Sequence, residues 1–142
     1  MFTNMQIIDI VTSQNLLFDL AEREADRNGF KHDPRVERQF SSHPLWFNQM
    51  ELTVKAPCGL TLDFEAKHPA KNPIPEVQCT VKVGVFGNKR GEKPTPLGDH
   101  VFIPDASRHG AISWHKQDGA NYTSQELCDF AFEQFREKGA PC

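Results

Sequence analysis

Residues 61–81 read TLDFEAKHPAKNPIPEVQCTV. The stretch begins as a strand: Leu62, Phe64 and Ala66 alternate with Asp63, Glu65 and Lys67, a period of two with one apolar and one polar face. It ends as another, β-branched from Val77 to Val83. Between them stand Pro69, Pro73 and Pro75. Each proline fixes φ and lacks a backbone donor, so three within seven residues exclude helix and strand interior alike. Two strands joined by a stiff, extended corner are the expectation.

The same period continues upstream. Trp46, Asn48, Met50, Leu52, Val54 and Ala56 alternate with Phe47, Gln49, Glu51, Thr53 and Lys55, which predicts a half-buried strand. Ala56-Pro57-Cys58-Gly59 is a turn, and Leu60 to Ala66 returns as the second strand of a hairpin. The strand after the proline corner runs to Phe86. These connections are too short for crossover helices, so the sheet is an antiparallel meander, of three to five strands. GNKRGEKPTPLG, residues 87–98, has the composition of a flexible loop. His100 to Ile103 is a short apolar strand, and Ile112 to His115 is a further extended piece.

Helices bracket this region. MQIIDIV, residues 5–11, reads as a short strand or a lead-in, with Thr12 or Ser13 capping a helix from about Gln14 to Arg27. Leu16, Leu17, Leu20 and Ala21 form its apolar stripe, and Asn28-Gly29 stops it. The polar segment FKHDPRVERQFSSHPLWF, residues 30–47, has neither period and is expected to be a loop. Thr123-Ser124-Gln125-Glu126 is a capping box that opens a second helix to about Lys138, with Leu127, Phe130, Ala131 and Phe135 on one face. The expected fold is α+β, a single domain over residues 1–142: N-terminal helix, antiparallel β-meander, proline-rich corner, C-terminal helix.

Bulk properties narrow the function classes. A net charge of −3 with no basic run argues against nucleic acid. No stretch reaches the length of a membrane span, and no export signal is evident, which points to a cytoplasmic protein. The four cysteines, Cys58, Cys79, Cys128 and Cys142, lack CxxC spacing and in that compartment are expected reduced, mostly as packing residues.

His100, His109 and His115 lie close in sequence among Asp99, Asp105 and Asp118, but no pair has the spacing that directs two imidazoles at one ion. Asp63, Glu65 and Lys67 form a D-x-E-x-K pattern of the kind a metal-dependent nuclease uses, with two same-face carboxylates for one divalent ion. Alternating charge is also what any solvent-facing strand shows, and no upstream acidic partner is evident. Neither a G-x-S-x-G elbow nor a glycine-rich phosphate cradle is present, and no cofactor or metal is expected.

The order of helix, meander, proline corner and C-terminal helix resembles the ubiquitin-conjugating enzyme fold over roughly residues 13–137. The family's corner looks like His68-Pro69-Ala70-Lys71-Asn72-Pro73-Ile74-Pro75-Glu76-Val77, and its active-site phrase looks like Gly110-Ala111-Ile112-Ser113. The position of the family's cysteine then holds Ser113. The histidine of its His-Pro-Asn motif corresponds to His100, followed here by Val101 and Phe102. A serine hydroxyl needs a dedicated base where a thiolate does not. Ser113 is thus an engineered replacement, or the mark of a natural non-catalytic variant, or the chain is an inactive relative of the RWD kind. The resemblance suits a divergent prokaryotic or phage-type member.

The resemblance implies a transferase that accepts a ubiquitin-like protein from its activating enzyme. Ser113 would be the acceptor, Asn121 the oxyanion donor, and His100, His115 and Asp118 the proton handlers. The alternative class is a small non-enzymatic binding or inhibitor protein working through protein–protein contacts, with the loop of residues 87–98 and the proline corner as its surface.

Overall fold

In the computed structural model of the chain, the structure describes residues 3–37, 49–67, 80–87, 95–110, 112–116 and 118–140. The proline corner, residues 68–79, lies outside them, as does most of the expected loop after Gly87.

α1 spans Asn4–Arg27. Thr3 caps it in a reciprocal box: the Gln6 amide N–H donates to Thr3 Oγ1 at 3.2 Å, and the Thr3 N–H donates to Gln6 Oε1 at 2.9 Å. The helix therefore starts ten residues before the expected Gln14, and MQIIDIV forms its first two turns. Ile7, Ile10, Val11, Leu17, Phe18, Ala21 and Ala25 are buried at helical spacing. Thr12 is an exposed mid-helix residue rather than a cap, because the run on either side of it keeps the same period. Gly29 at φ +72° ends the helix, and the Phe30 N–H reaches back to the Ala25 carbonyl at 2.9 Å.

Seven strands follow among the described residues: β1 Lys31–Glu37, β2 Gln49–Lys55, β3 Thr61–Lys67, β4 Val81–Gly87, β5 Thr95–Asp105, β6 Ser113–Lys116 and β7 Asn121–Tyr122. They form one sheet in the order β1-β2-β3-β4-β5-β6-β7, every pair antiparallel. The meander is thus longer than the three to five strands expected. One extra strand comes from residues 31–37, expected to be loop. Pro34 is tolerated there because β1 is an edge strand with a neighbour on one side only. Another difference lies at residues 95–98, which belong to β5 rather than to a loop. They pair with β4 through a register slip between Val85 and Phe86.

α2 spans Ser124–Glu137, with the Thr123–Glu126 capping box in place. Both helices cover one sheet face. Leu52, Val54, Leu62, Phe64, Val81, Val83, Phe102 and Trp114 are buried beneath them. Phe64 packs against Phe18 of α1 and Phe132 of α2, with ring centroids 6.3 and 6.2 Å away. The opposite face carries the alternate residues of each strand and has no described helix over it.

Candidate functional site

The open face of the sheet brings three carboxylates together. Asp63 and Glu65 project from β3 on the polar side of the alternation. The β2–β3 turn closes with the Ala56 N–H on the Leu60 carbonyl at 2.9 Å, and this fixes the register. Glu51 then sits directly across from Glu65, and Thr53 across from Asp63. One carboxylate oxygen from each of Glu51, Asp63 and Glu65 lies within 4.8 Å of the others, and all three residues are half-buried. The Thr53 hydroxyl donates to Asp63 Oδ1 at 3.2 Å, and Lys67 Nζ stands 3.5 Å from Glu65 Oε1.

This crowding shows in the protonation of Asp63. Burial first, then the charge of Glu51, push its pKa up from 3.8 to about 7, with Glu65 adding to the rise and the Thr53 hydroxyl opposing it. Asp63 therefore takes up a proton far more readily than an ordinary carboxylate. A hydrogen bond with Glu51 contributes in the same direction. Glu51 is the upstream acid that linear spacing failed to reveal. Its signal was the hairpin register, since counting outward from the turn at Pro57-Cys58-Gly59 sets Glu51 opposite Glu65.

The residues implied by the resemblance divide between the two sides of the sheet. Ser113 pairs with Asp105, and His115 with both Ile103 and Asn121, on the open side. His115 Nδ1 meets Asn121 Oδ1 at 2.8 Å. This contact holds the imidazole and the amide side by side on the open face. Asp105 is held below the usual carboxylate range, chiefly by the Ser107 backbone N–H donating to it at 3.0 Å.

His100 lies on the helix-covered side, opposite Val83, with its ring edge-on to Phe130 at 5.0 Å. Burial, followed by the Lys116 ammonium, lowers its pKa. Asp118 joins that side through Lys116, whose Nζ is 2.9 Å from Asp118 Oδ2 and 4.9 Å from the Phe130 ring centre. That hydrogen bond also holds the exposed Asp118 carboxyl below its ordinary value. His100 and Asp118 are therefore separated by the sheet from Ser113 and Asn121.

Among the described residues no group of histidines is gathered for a metal ion. His109 sits on the turn before β6, its Nδ1 3.0 Å from Asp9 Oδ2 of α1. Among the described residues the acidic trio is the one group suited to a metal ion. Cys128 is free, and burial pushes its thiol up to about 12, which leaves it unreactive. Cys58 is disulfide-bonded rather than reduced as expected. Nothing in the spacing of four cysteines shows which sulfurs the fold brings together. No protein-family model, curated protein or solved structure matches this chain.

Proposed function

We propose that the protein binds a hard divalent cation on the open face of its sheet through Glu51, Asp63 and Glu65. The observation that carries this reading is the convergence of three carboxylate oxygens within 4.8 Å on two adjacent strands. An all-oxygen donor set suits Mg²⁺, Mn²⁺ or Ca²⁺ rather than the softer metals that favour sulfur and imidazole. Without a cation the group is electrostatically strained, and a divalent ion relieves the repulsion among the three. Lys67, beside Glu65, supplies a fixed positive charge at the edge of the group. Beside a metal-activated water, that charge suits hydrolysis of a phosphate ester.

The test is titration of chelator-stripped protein with each of the three cations, read by calorimetry and by thermal melting. Saturable binding with a rise in Tm is expected. In Glu51→Gln and Glu65→Gln, affinity should fall at least about tenfold, as for the loss of a ligand or its orienting partner. Wild-type protein showing no response at millimolar cation would overturn the reading. Turnover of a phosphodiester probe with the cation present separates an enzyme from a binding protein.

A second reading, a ubiquitin-conjugating-type transferase, is supported by the helix–meander–helix order and by Ser113, His115 and Asn121 sharing one face. It implies a cytoplasmic setting, against which the Cys58 disulfide weighs. Ser113→Cys, incubated with an activating enzyme, its ubiquitin-like protein and ATP, should form an adduct cleaved by reductant. Absence of that adduct removes the reading.

A further inference from the structure

Cys58 is disulfide-bonded, and Cys128 is free. Cys79 and Cys142 are then the two candidates for its partner within the chain. Both lie outside the described residues, but each stands within two residues of one that is described. Consecutive Cα atoms are about 3.8 Å apart, so those neighbours bound where each cysteine can reach. A disulfide in turn needs its two Cα atoms within about 7 Å of each other.

Cys79 immediately precedes Thr80, whose carbonyl accepts the Lys67 N–H at 3.0 Å at the far end of β3. Cys58 lies on the turn at the other end, just before β3 opens at Thr61. β3 is 7 residues long, so its two ends stand roughly 20 Å apart. One residue of reach from Thr80 recovers about 4 Å of that span, which leaves Cys79 well beyond bonding range.

Cys142 follows Ala140 by two residues. Ala140 is buried, and its N–H donates to the Phe135 carbonyl at 3.1 Å. The Phe135 ring meets Phe30 edge-on at 5.3 Å. Phe30 leads directly into Lys31, which pairs with Lys55, and the turn bearing Cys58 follows at once. The C-terminal end of α2 and the β2–β3 turn therefore lie at the same end of the sheet.

We propose that Cys58 is bonded to Cys142, and that this bridge is a redox-sensitive clamp fastening the C-terminal end of α2 to the β2–β3 turn. The ring it closes takes in β3 to β7 and all of α2, and a cross-link over so long a loop removes much of the entropy of the unfolded chain. Cys128 does not compete for it. Its thiol is buried and pushed up to about 12, so no thiolate is at hand to attack the bridge. Opening the bridge takes two electrons and two protons from a dithiol, which itself becomes a disulfide, and leaves thiols at positions 58 and 142. The end of α2 then keeps only its packing, through Phe135 and Ala140.

Trypsin cuts after lysine and arginine, which puts the cysteines on separate peptides: 56–67, 72–82, 117–136 and 139–142. Digestion of alkylated, unreduced protein should give 56–67 joined to 139–142 by mass spectrometry, and dithiothreitol should part them. Reduction of the intact protein should lower Tm by on the order of 10 °C. Cys58→Ser and Cys142→Ser should each melt near the reduced wild type and lose the response to dithiothreitol, whereas Cys79→Ser should keep it. Three mapping outcomes would each overturn the pairing: 56–67 joined to 72–82, 56–67 joined to a second copy of itself, or 56–67 recovered alkylated and alone. A Tm unmoved by reduction would overturn the clamp.

Discussion

Gln14 is fully buried in α1, and neither end of its amide finds a hydrogen-bond partner among the described residues. Desolvating an amide without compensation costs roughly 1–3 kcal/mol, whereas an apolar side chain of similar size forgoes that cost. Gln14→Leu should therefore raise unfolding stability by on the order of 1 kcal/mol in a denaturant titration. A loss of stability would mean that the amide is satisfied by internal water. Asp63 invites the same logic with charge. Asp63→Asn keeps the Thr53 hydrogen-bonding site and removes the repulsion, so chelator-treated protein should melt higher than wild type while losing its response to added cation. A variant that melts lower in chelator would show that Asp63 is a net stabiliser of the sheet.

His100 contributes one limb of the pH dependence, and its sign follows from the depressed pKa. Asp63, with its pKa raised to about 7, contributes the opposite sign, a stability that is lost as pH rises toward that value. At His100 the unfolded chain binds a proton at about 6.5 and the folded one only at lower pH, so between those two values the unfolded state holds more protons. Stability conferred by the neutral ring is complete above about pH 6.5 and is lost as pH falls toward the folded value. His100→Gln should flatten this acid limb. The check is the difference in Tm between about pH 7.5 and about pH 5.5, which should shrink relative to wild type. An unchanged difference would place the titration elsewhere.

At the scale of elements, legibility tracked the strength of the local pattern. β2, β3 and α2 were readable because period-two alternation and the Thr123–Glu126 box leave little room for another reading. β1 was hidden by Pro34 and by charges that suit an edge strand as well as a loop. The start of α1 was hidden because Thr12 and Ser13 mimic a cap, while the real one is Thr3 with Gln6. The candidate site was half visible: Asp63, Glu65 and Lys67 announce themselves on one strand, but Glu51 joins only through a cross-strand register. Register likewise separates His100 from Ser113, since near neighbours in a meander fall on either face by parity. If the two boxes do set the helix starts, Thr3→Ala and Thr123→Ala should each cost about 1 kcal/mol. Their helix signals should fray without loss of the sheet.

At the scale of the whole molecule, local and distant contacts divide between sheet and helices. Each strand pairs with its neighbour in sequence, which is fast to form and short in reach. The helices join the ends of the chain to this sheet. Gln6 Nε2 donates to the Ala106 carbonyl at 3.3 Å, Asp9 accepts from the Gly110 N–H at 3.1 Å, and the Ser124 hydroxyl donates to the Ser13 carbonyl at 3.2 Å. Trp114 Nε1–H in turn donates to Ser124 Oγ at 3.2 Å, which ties β6 to both helices. Phe64 sits where the sheet and the two helices meet, with no exposure and aromatic neighbours in each helix. A core shared in this way should be lost in one step. Phe64→Ala should cost about 3–5 kcal/mol, because truncation leaves a cavity that two helices and a sheet cannot all close. The denaturant midpoint should move by the same amount whether read from helical far-UV ellipticity or from tryptophan emission. Separated midpoints would show that the meander holds its fold after the helices have gone, and that α1 and α2 are docked on the sheet rather than integral to its core.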